Sequence, residues 1–417
     1  MSTGLGARRG IWVGELSPRE SRTFAACFGG WALDAFDANL YSLVIPALMA
    51  TMHLSRPQAG VLGTIGLMAS AVGGWLAGAL ADRIGRVKVL QITIIWFSLF
   101  AFATGFAQNL EQLAVCRVLQ GVGFGGEWAT GAVLMAEVIR PQFRGRAVGT
   151  VQSGWAVGWG TAVLTFAAVF SLFPQAQAWR VLFWIGIIPG LFVFYVRRFV
   201  EEPEAVKQRR PVRGGLGQIF VVFSPGVLKI TLPAVLLTTG AQGSFYAVNI
   251  WLPTFLKTER KLTVLGSSGY LAFVIFGAFC GFLTAAWLAD RIGRKRTFLL
   301  FGIAAGAVVC VYMLAPLSNQ WMLFLGFPLG YFANGIFAPM GAFLSELFPT
   351  GIRATAQGFA YNAGRAIGSM FPALIGFLGA SMTLGLAISV FTATAYACVA
   401  IALALLPETV GQDIVAA

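Results

Sequence analysis

Long apolar stretches separated by short polar ones dominate the chain, and this alternation predicts membrane-spanning helices. A bilayer core of about 30 Å requires about 20 apolar residues in a helix, and a window of that length finds twelve such stretches. They cover residues 24–48, 58–80, 89–107, 112–138, 148–172, 179–199, 227–256, 264–288, 297–316, 320–346, 355–380 and 382–406. The pattern predicts an all-α membrane protein with twelve transmembrane helices.

The polar stretches divide the chain into five segments, because one connection is much longer than the others. We expect an N-terminal segment at 1–23, a six-helix bundle at 24–199, a linker at 200–226, a second six-helix bundle at 227–406 and a tail at 407–417. The first segment is basic but has no apolar core followed by a cleavage site, so we expect no removable signal peptide.

The positive charges indicate the orientation in the membrane. Only 11% of the residues are charged and the mean hydropathy is +0.78, whereas soluble domains carry about 25% charged residues. If both termini are cytoplasmic, 22 of the 29 lysines and arginines fall on that side and five on the other. The positive-inside rule therefore predicts a multi-pass protein of the plasma (inner) membrane with cytoplasmic termini. We interpret the net charge of +13 as a topology signal and expect no nucleic-acid partner.

Side chains suited to catalysis or metal binding are scarce. The one histidine, His53, lies in a short polar link, and the five cysteines stand singly within apolar runs. These spacings match no metal site or catalytic cluster, so we expect no enzyme, no catalytic residue, no metal and no cofactor. A channel would require a selectivity filter or rings of charge, which the sequence does not offer.

A charged motif occurs twice at nearly the same offset. The segment Asp82–Arg86 after the second span recurs as Asp290–Arg294 after the eighth, 208 positions later. The residues Glu, Pro, Arg and Gly of segment 137–149 recur in segment 346–358, at an offset of 208 or 209. Two motifs repeated together predict that the two halves of the chain are duplicated.

These loops resemble the signature of the major facilitator superfamily, and the resemblance extends over essentially the whole chain. It implies two pseudo-symmetric six-helix bundles around a central cavity that opens to each side of the membrane in turn. It also implies a cytoplasmic gate of charged side chains, although a solvated loop that only sets topology is the alternative. The expected gate residues are Asp82, Arg83, Arg86, Glu137, Arg144, Asp290, Arg291, Arg294, Glu346 and Arg353.

Five ionisable residues fall within predicted spans, namely Asp34, Asp37, Arg117, Glu127 and Arg365. A charge at mid-bilayer costs at least ~3 kcal/mol, so such residues indicate function. Arginine offers a fork of donors that matches a carboxylate, so we expect Arg365 to bind an anionic substrate. We expect the three carboxylates to carry or sense a co-transported proton, tuned by Arg117, whose role the resemblance also implies. A permanent buried ion network that locks the bundles is the alternative.

Uncharged polar residues on the same helix faces extend this predicted site. Positions three or four apart share a face of a helix, which places Gln120 and Phe124 on the same side of the fourth span as Arg117 and Glu127. By the same spacing we expect further substrate contacts, although such residues also serve to tie helices together. They are Tyr41, Gln242, Tyr246, Asn249, Tyr361 and Asn362.

Short segments narrow the resemblance to one branch of the superfamily. Asp34–Asp37 resembles the paired-aspartate signature of aromatic-acid and lactate or sialate proton symporters, and Gly123–Trp128 resembles the sialate, monocarboxylate and shikimate or oxoglutarate carriers. The resemblance implies proton-coupled symport of a small organic anion, and we expect a monomer. The fifth span lacks the Gly-Pro pair of drug:proton antiporters, which disfavours drug export. Because Leu406–Thr409 resembles sugar porters, a porter of sugars or other neutral metabolites is the alternative.

Overall fold

The computed structural model describes residues 12–140, 144–201, 221–262, 264–349 and 352–409, and fifteen α-helices account for most of them. The first half contains α1 Pro18–Thr51, α2 Arg56–Ile84, α3 Arg86–Thr104, α4 Leu110–Val138, α5 Arg144–Leu172, α6 Gln175–Ile185 and α7 Ile188–Phe199. The second half contains α8 Pro225–Thr258, α9 Val264–Ile292, α10 Arg294–Leu314, α11 Asn319–Gly335, α12 Met340–Leu347, α13 Arg353–Gly368, α14 Phe371–Leu378 and α15 Leu384–Leu405. The all-α fold class is confirmed.

All twelve predicted spans correspond to helices, but three of them consist of two helical segments. The sixth span is α6 followed by α7, the tenth is α11 followed by α12, and the eleventh is α13 followed by α14. Each second segment has a proline at its start: Pro189, Pro339 and Pro372. A proline lacks the N–H that would continue the preceding helix and disfavours helical geometry in the residue before it. Each break coincides with such a proline, whereas Pro46, Pro233, Pro253 and Pro328 lie inside continuous helices.

Nine of the twelve spans are long and apolar enough to cross a membrane, judged over the described residues. The three others are α4, α8 and the α13–α14 pair. These helices carry polar residues within their length, among them Arg117, Gln242 and Arg365. Such residues lower the mean hydropathy of a span, and all three line the cavity described below.

The two halves repeat the same local plan. Gly85 and Gly293, which are 208 positions apart in the duplicated motif, precede α3 and α10 with φ of +106° and +102°. Glycine adopts this left-handed region without a steric penalty. Helices α2 and α9 both contain 29 residues, and α1 and α8 both contain 34. These matches agree with the duplication that the repeated motifs predict.

Close helix packing within each half also follows the repeat. Gly125 of α4 lies directly against the Ser70 carbonyl of α2, and Gly330 of α11 lies against the Val274 carbonyl of α9. A Cβ atom at either glycine would overlap the facing backbone. Each half is therefore tightly packed, and these close contacts occur at equivalent positions in the two halves.

The helix ends gather at two opposite faces of the molecule. At one face the Nε of Arg140, after α4, donates to Oε1 of Glu20 in α1 at 2.9 Å, and the rings of Phe223 and Phe359 in the second half lie 5.1 Å apart. We call this side the terminal face, because α1 begins and α15 ends there. We call the other side the distal face.

At the distal face, α2 of the first half contacts α14 of the second. The Nη1 of Arg56 donates to the Gly379 carbonyl at 2.5 Å, and the Ala373 N–H donates to Oγ1 of Thr64 at 3.1 Å. Gly60 lies so close to α14 that a Cβ there would be 2.6 Å from the Pro372 carbonyl. The halves are therefore closed against each other at the distal face.

Candidate functional site

A cavity of about 110 Å³ lies between the two halves, roughly midway between the faces. A water molecule needs about 10–15 Å³ on this measure, so the cavity has room for a small organic molecule. Its wall includes eight of the predicted site residues: Asp37, Tyr41, Arg117, Gln242, Tyr246, Asn249, Tyr361 and Arg365. The structure thus brings residues from α1, α4, α8 and α13 to one place.

The first half contributes a chain of polar contacts to this cavity. The Nε2 of Gln120 donates to Oδ2 of Asp37 at 2.5 Å, and Nη1 of Arg117 donates to Oε1 of Gln120 at 2.6 Å. The Arg117 guanidinium also lies 4.5 Å from the centre of the Tyr41 ring, within the range of a cation–π contact. Gln120 therefore links a buried cation to a buried carboxyl group.

The prediction placed Gln120 on the face of Arg117 but gave it no role. The signal in the sequence was its spacing of three residues from Arg117, which places the two side chains on one face of the helix. The contact with Asp37 could not be read from the sequence, because Asp37 lies 83 positions away on another helix.

The second half contributes a cluster around Arg365, whose exposed fraction is 3%. Its Nε donates to Oε1 of Gln242 at 3.3 Å, and the Tyr246 hydroxyl donates to the same oxygen at 3.2 Å. The Nε2 of Gln242 donates to the Tyr361 carbonyl at 2.9 Å. The guanidinium carbon lies 5.1 Å from the Tyr361 ring centre and 5.7 Å from that of Phe124. Hydrogen bonds and flanking rings therefore fix the position of the cation.

Two predicted site residues are placed differently from these. Asp34 is fully buried and interacts electrostatically with Arg365 of the other half, but it does not belong to the cavity wall. Asn362 donates to the Gly358 carbonyl at 3.0 Å and faces Gly74 of α2, so it lies at the contact between halves. The side chain of Glu127 lies outside the described part of the structure.

Aromatic rings form the apolar part of the cavity wall. The Trp155 ring centre lies 5.1 Å from that of Trp31, 6.3 Å from that of Phe124 and 5.9 Å from that of Phe245. Phe337 continues the surface, 5.3 Å from Phe245. Helical spacing placed Phe124 on the same face as Arg117, whereas no sequence signal separated Trp31, Phe245 and Phe337 from the many aromatic residues that face lipid. Together they offer flat surfaces on which an unsaturated carbon skeleton can stack.

The predicted gate is described only in the second half. The Nη2 of Arg294 lies 3.1 Å from Oε1 of Glu346, and Thr409 donates to the other oxygen of that carboxylate at 2.5 Å. The Arg291 guanidinium lies 4.1 Å from the Trp287 ring centre. These contacts stay within one half. The side chains of the other predicted gate residues lie outside the described part: Asp82, Arg83, Arg86, Glu137, Arg144, Asp290 and Arg353.

Comparison with known proteins agrees with this architecture. A model of the Major Facilitator Superfamily matches residues 27–371 and 269–414. A "probable 4-methylmuconolactone transporter" of Cupriavidus pinatubonensis is 44% identical over 401 residues, covering 96% of this chain and 93% of that protein. A cis,cis-muconate transport protein of Acinetobacter baylyi is 31% identical over 382 residues, covering 90% and 91%.

A solved structure shows the same fold. The inward-open conformation of the xylose transporter XylE from E. coli matches with a TM-score of 0.72 at 18% identity, covering 94% of this chain and 97% of that one. This likeness concerns the fold alone, whereas the family model and the relatives cover most of the sequence. The chain therefore belongs to the major facilitator superfamily, whose members are multi-pass membrane transporters and not enzymes.

Proposed function

We propose that this transporter takes up a small organic acid together with a proton by alternating access. The observation that carries the proposal is Arg365, a buried guanidinium on the wall of a cavity between the halves. A buried cation among aromatic rings favours an anionic ligand, because the anion offsets the cost of removing the charge from water. The relatives named above for muconate and 4-methylmuconolactone transport support an unsaturated acid as the substrate.

Proton coupling follows from the carboxyl groups near the two guanidinium groups. Asp34 interacts with Arg365. An organic anion bound at Arg365 and the Asp34 carboxylate would therefore both interact with the same guanidinium. A proton on Asp34 removes the repulsion between the two anions. Asp37, linked to Arg117 through Gln120, supplies a second site for the proton, and we assign Glu127 the same role.

The membrane orientation and conformational cycle are part of the same proposal. The distribution of lysine and arginine supports an inner-membrane protein with both termini in the cytoplasm. The terminal face is then cytoplasmic, and closure at the distal face corresponds to an inward-facing state. The duplicated charged loops at the terminal face form the cytoplasmic gate. One chain supplies the whole cavity wall, which supports a monomer.

Substitution of Arg365 by Lys tests the substrate site. Lysine keeps the charge but loses the planar fork, and we expect the apparent KM for acid uptake into proteoliposomes to rise about tenfold or more, equivalent to at least about 1.4 kcal/mol. Arg180→Lys is the matched control, because Arg180 binds backbone carbonyls of its own half at 2.7 and 2.9 Å, outside the cavity wall. Unchanged acid uptake by Arg365→Lys would remove Arg365 from the site.

Substitution of the carboxyl groups tests proton coupling separately. Asp34→Asn and Glu127→Gln should each abolish uphill uptake driven by a pH gradient and leave substrate counterflow, because exchange requires no net proton release. Glu111→Gln, an exposed position, should affect neither assay. Accumulation that survives both amide variants would contradict the proton assignment. Hexose flux without acid transport would instead favour the neutral-metabolite porter.

A further inference from the structure

One oxygen of the buried Asp37 carboxyl group accepts no hydrogen bond from the described residues. The exposed fraction of Asp37 is 2%, and its Oδ2 accepts from Nε2 of Gln120, whereas Oδ1 is buried and has no such donor. A buried carboxylate oxygen without a donor is unfavourable, because it loses its hydration and gains no hydrogen bond in return. The two oxygens of Asp37 therefore have different surroundings, and these bear on where the group can hold a proton.

The contacts of Gln120 determine which of the two oxygens is suited to a proton. Arginine has donors and no acceptor, so the carbonyl oxygen of Gln120 faces Arg117, at 2.6 Å from its Nη1. The amide nitrogen of Gln120, which can only donate, then faces Oδ2 of Asp37 at 2.5 Å. A hydrogen atom on Oδ2 would crowd this donor and weaken Oδ2 as an acceptor. A proton on Asp37 is therefore favoured on Oδ1.

Oδ1 faces the break between α6 and α7 in the sixth span. A Cβ atom at Gly186, the residue that follows α6, would lie 2.9 Å from Oδ1, 2.9 Å from the Phe183 carbonyl oxygen and 3.0 Å from the Ala101 methyl group. The Gly186 N–H already donates to carbonyls of α6. The nearest groups at this point thus include an acceptor and no free donor. Such surroundings suit the O–H of a carboxylic acid better than a carboxylate oxygen, which needs a donor.

The charged group that acts on Asp37, among the described residues, is Arg117 of α4. It lies on the side of Oδ2, because Gln120 connects the two groups there. On α1 itself the neighbouring titratable residues are Asp34 and Tyr41, one helical turn to either side. At the Oδ1 end, the described parts of α3 and α6 present a methyl group, a glycine and a backbone carbonyl, none of which titrates. No described cation therefore pairs with Oδ1 to hold it as an anion.

We propose that Asp37 holds the transported proton on Oδ1, at the end of α6, and that Gly186 is the positioning residue that leaves space for it. The proton comes from water on one side of the membrane, forms an O–H bond at Oδ1 and returns to water on the other side. It is buried away from the bound substrate, so the substrate can leave the cavity while the proton stays. The inference rests on the proposed function, because it requires proton coupling.

Infrared difference spectroscopy of the purified full-length transporter in lipid bilayers, without substrate, detects this proton directly. Spectra at a series of pH values report the C=O stretch of protonated carboxyl groups, and the band that Asp37→Asn removes belongs to Asp37. With the proton on Oδ1, the C=O group is at Oδ2 and accepts from Gln120. We expect Gln120→Leu to move the Asp37 band to higher wavenumber, because the C=O group loses its hydrogen bond. Gln242→Leu is the matched control, since this amide of the cavity wall bonds to Arg365 and Tyr361 instead, and it should leave the band in place.

Two substitutions at Gly186 test the space around Oδ1. Serine adds a hydroxyl that can donate to the Asp37 carboxylate, and this charge-assisted bond is stronger than the one the hydroxyl can accept from the neutral acid. Alanine adds the same Cβ without a donor. We expect the midpoint pH of the Asp37 band to fall by about one pH unit in Gly186→Ser, a tenfold change in the proton dissociation constant, and not to fall in Gly186→Ala. Equal midpoints in the two variants would overturn the proposal, and if neither variant can be purified, the Gln120→Leu spectrum decides.

The possible results separate this inference from the proposed function. An Asp37 band at the same wavenumber in Gln120→Leu and in the unaltered protein would show that Oδ2 is not the accepting C=O oxygen, which would overturn the inference. The absence of any band that Asp37→Asn removes would overturn it as well. Both results leave proton coupling through Asp34 or Glu127 intact. If organic-acid uptake by the unaltered protein in the proteoliposome assay takes no protons from the external medium, both proposals are overturned.

Discussion

The short helix α14 is held at both ends by α2 of the other half, and this contact should bias the balance between transport states. Near its N-terminus, the Ala373 N–H donates to Oγ1 of Thr64, which supplies the acceptor that the apolar cap residue Met370 lacks. At its C-terminus, Arg56 donates to the Gly379 carbonyl, where the helix dipole also favours a cation. Both bonds must break when the distal face opens.

The structure gives the size of the expected effect. A hydrogen bond contributes about 1 kcal/mol net, so removal of both should favour the distal-open state by about 2 kcal/mol. That change corresponds to a roughly 30-fold shift in the population ratio. The variant Arg56→Ala/Thr64→Val removes both bonds while keeping the backbone of α14 unchanged.

Distances between spin labels would measure the shift. Labels at Val61 of α2 and at Ala380, both exposed, would be introduced into a background without the five cysteines. We expect the double variant to populate a longer label-to-label distance. Arg180→Ala, which breaks arginine–carbonyl bonds of 2.7 and 2.9 Å within one half, should leave the distance distribution unchanged. An unchanged distribution in the double variant would refute the role of these bonds in holding the distal face closed.

Two further predictions concern stability. Gly158→Ala places a Cβ against the backbone of α1 and should lower the Tm of the purified protein by several degrees. Gly269→Ala is the control, because its Cβ meets open space and the Tm should not change. Equal Tm values for the two variants would contradict the close packing at Gly158. Glu346→Gln removes the ion pair with Arg294 and should cost about 2 kcal/mol of unfolding free energy, with exposed Glu111→Gln as the control. A Tm of Glu346→Gln equal to that of the control would show that the pair contributes nothing measurable.

Much of the fold was predictable because the bilayer imposes length and apolarity on each span. The position of Arg365 on the cavity wall was also predictable, because contact of a guanidinium with lipid costs too much free energy. The breaks in three spans were missed, although Pro189, Pro339 and Pro372 marked them in the sequence. The spans were assigned from the mean hydropathy over about 20 residues, and one proline changes that mean too little to divide a span.

The fine structure of the site depended on contacts between distant helices. Gln120 joins Arg117 to Asp37 only because α4 and α1 pack side by side, and no local pattern encodes that pairing. Trp31 and Phe245 could not be selected as cavity residues, because aromatic residues are equally suited to lipid. The charged residues of the site could therefore be inferred from the sequence, whereas the shape of the apolar wall could be determined only from the fold.

The buried guanidinium groups of α4 and α13 place a constraint on the order of biosynthesis. Arg117 of α4 and Arg365 of α13 would each oppose entry of a lone helix into lipid by roughly 3 kcal/mol. In both cases a contacting side chain on another helix is translated first: Tyr41 lies on α1 and Gln242 on α8. Each guanidinium thus emerges from the ribosome after the helix that shelters it, so the chain order itself allows both cations to enter the bilayer already accompanied.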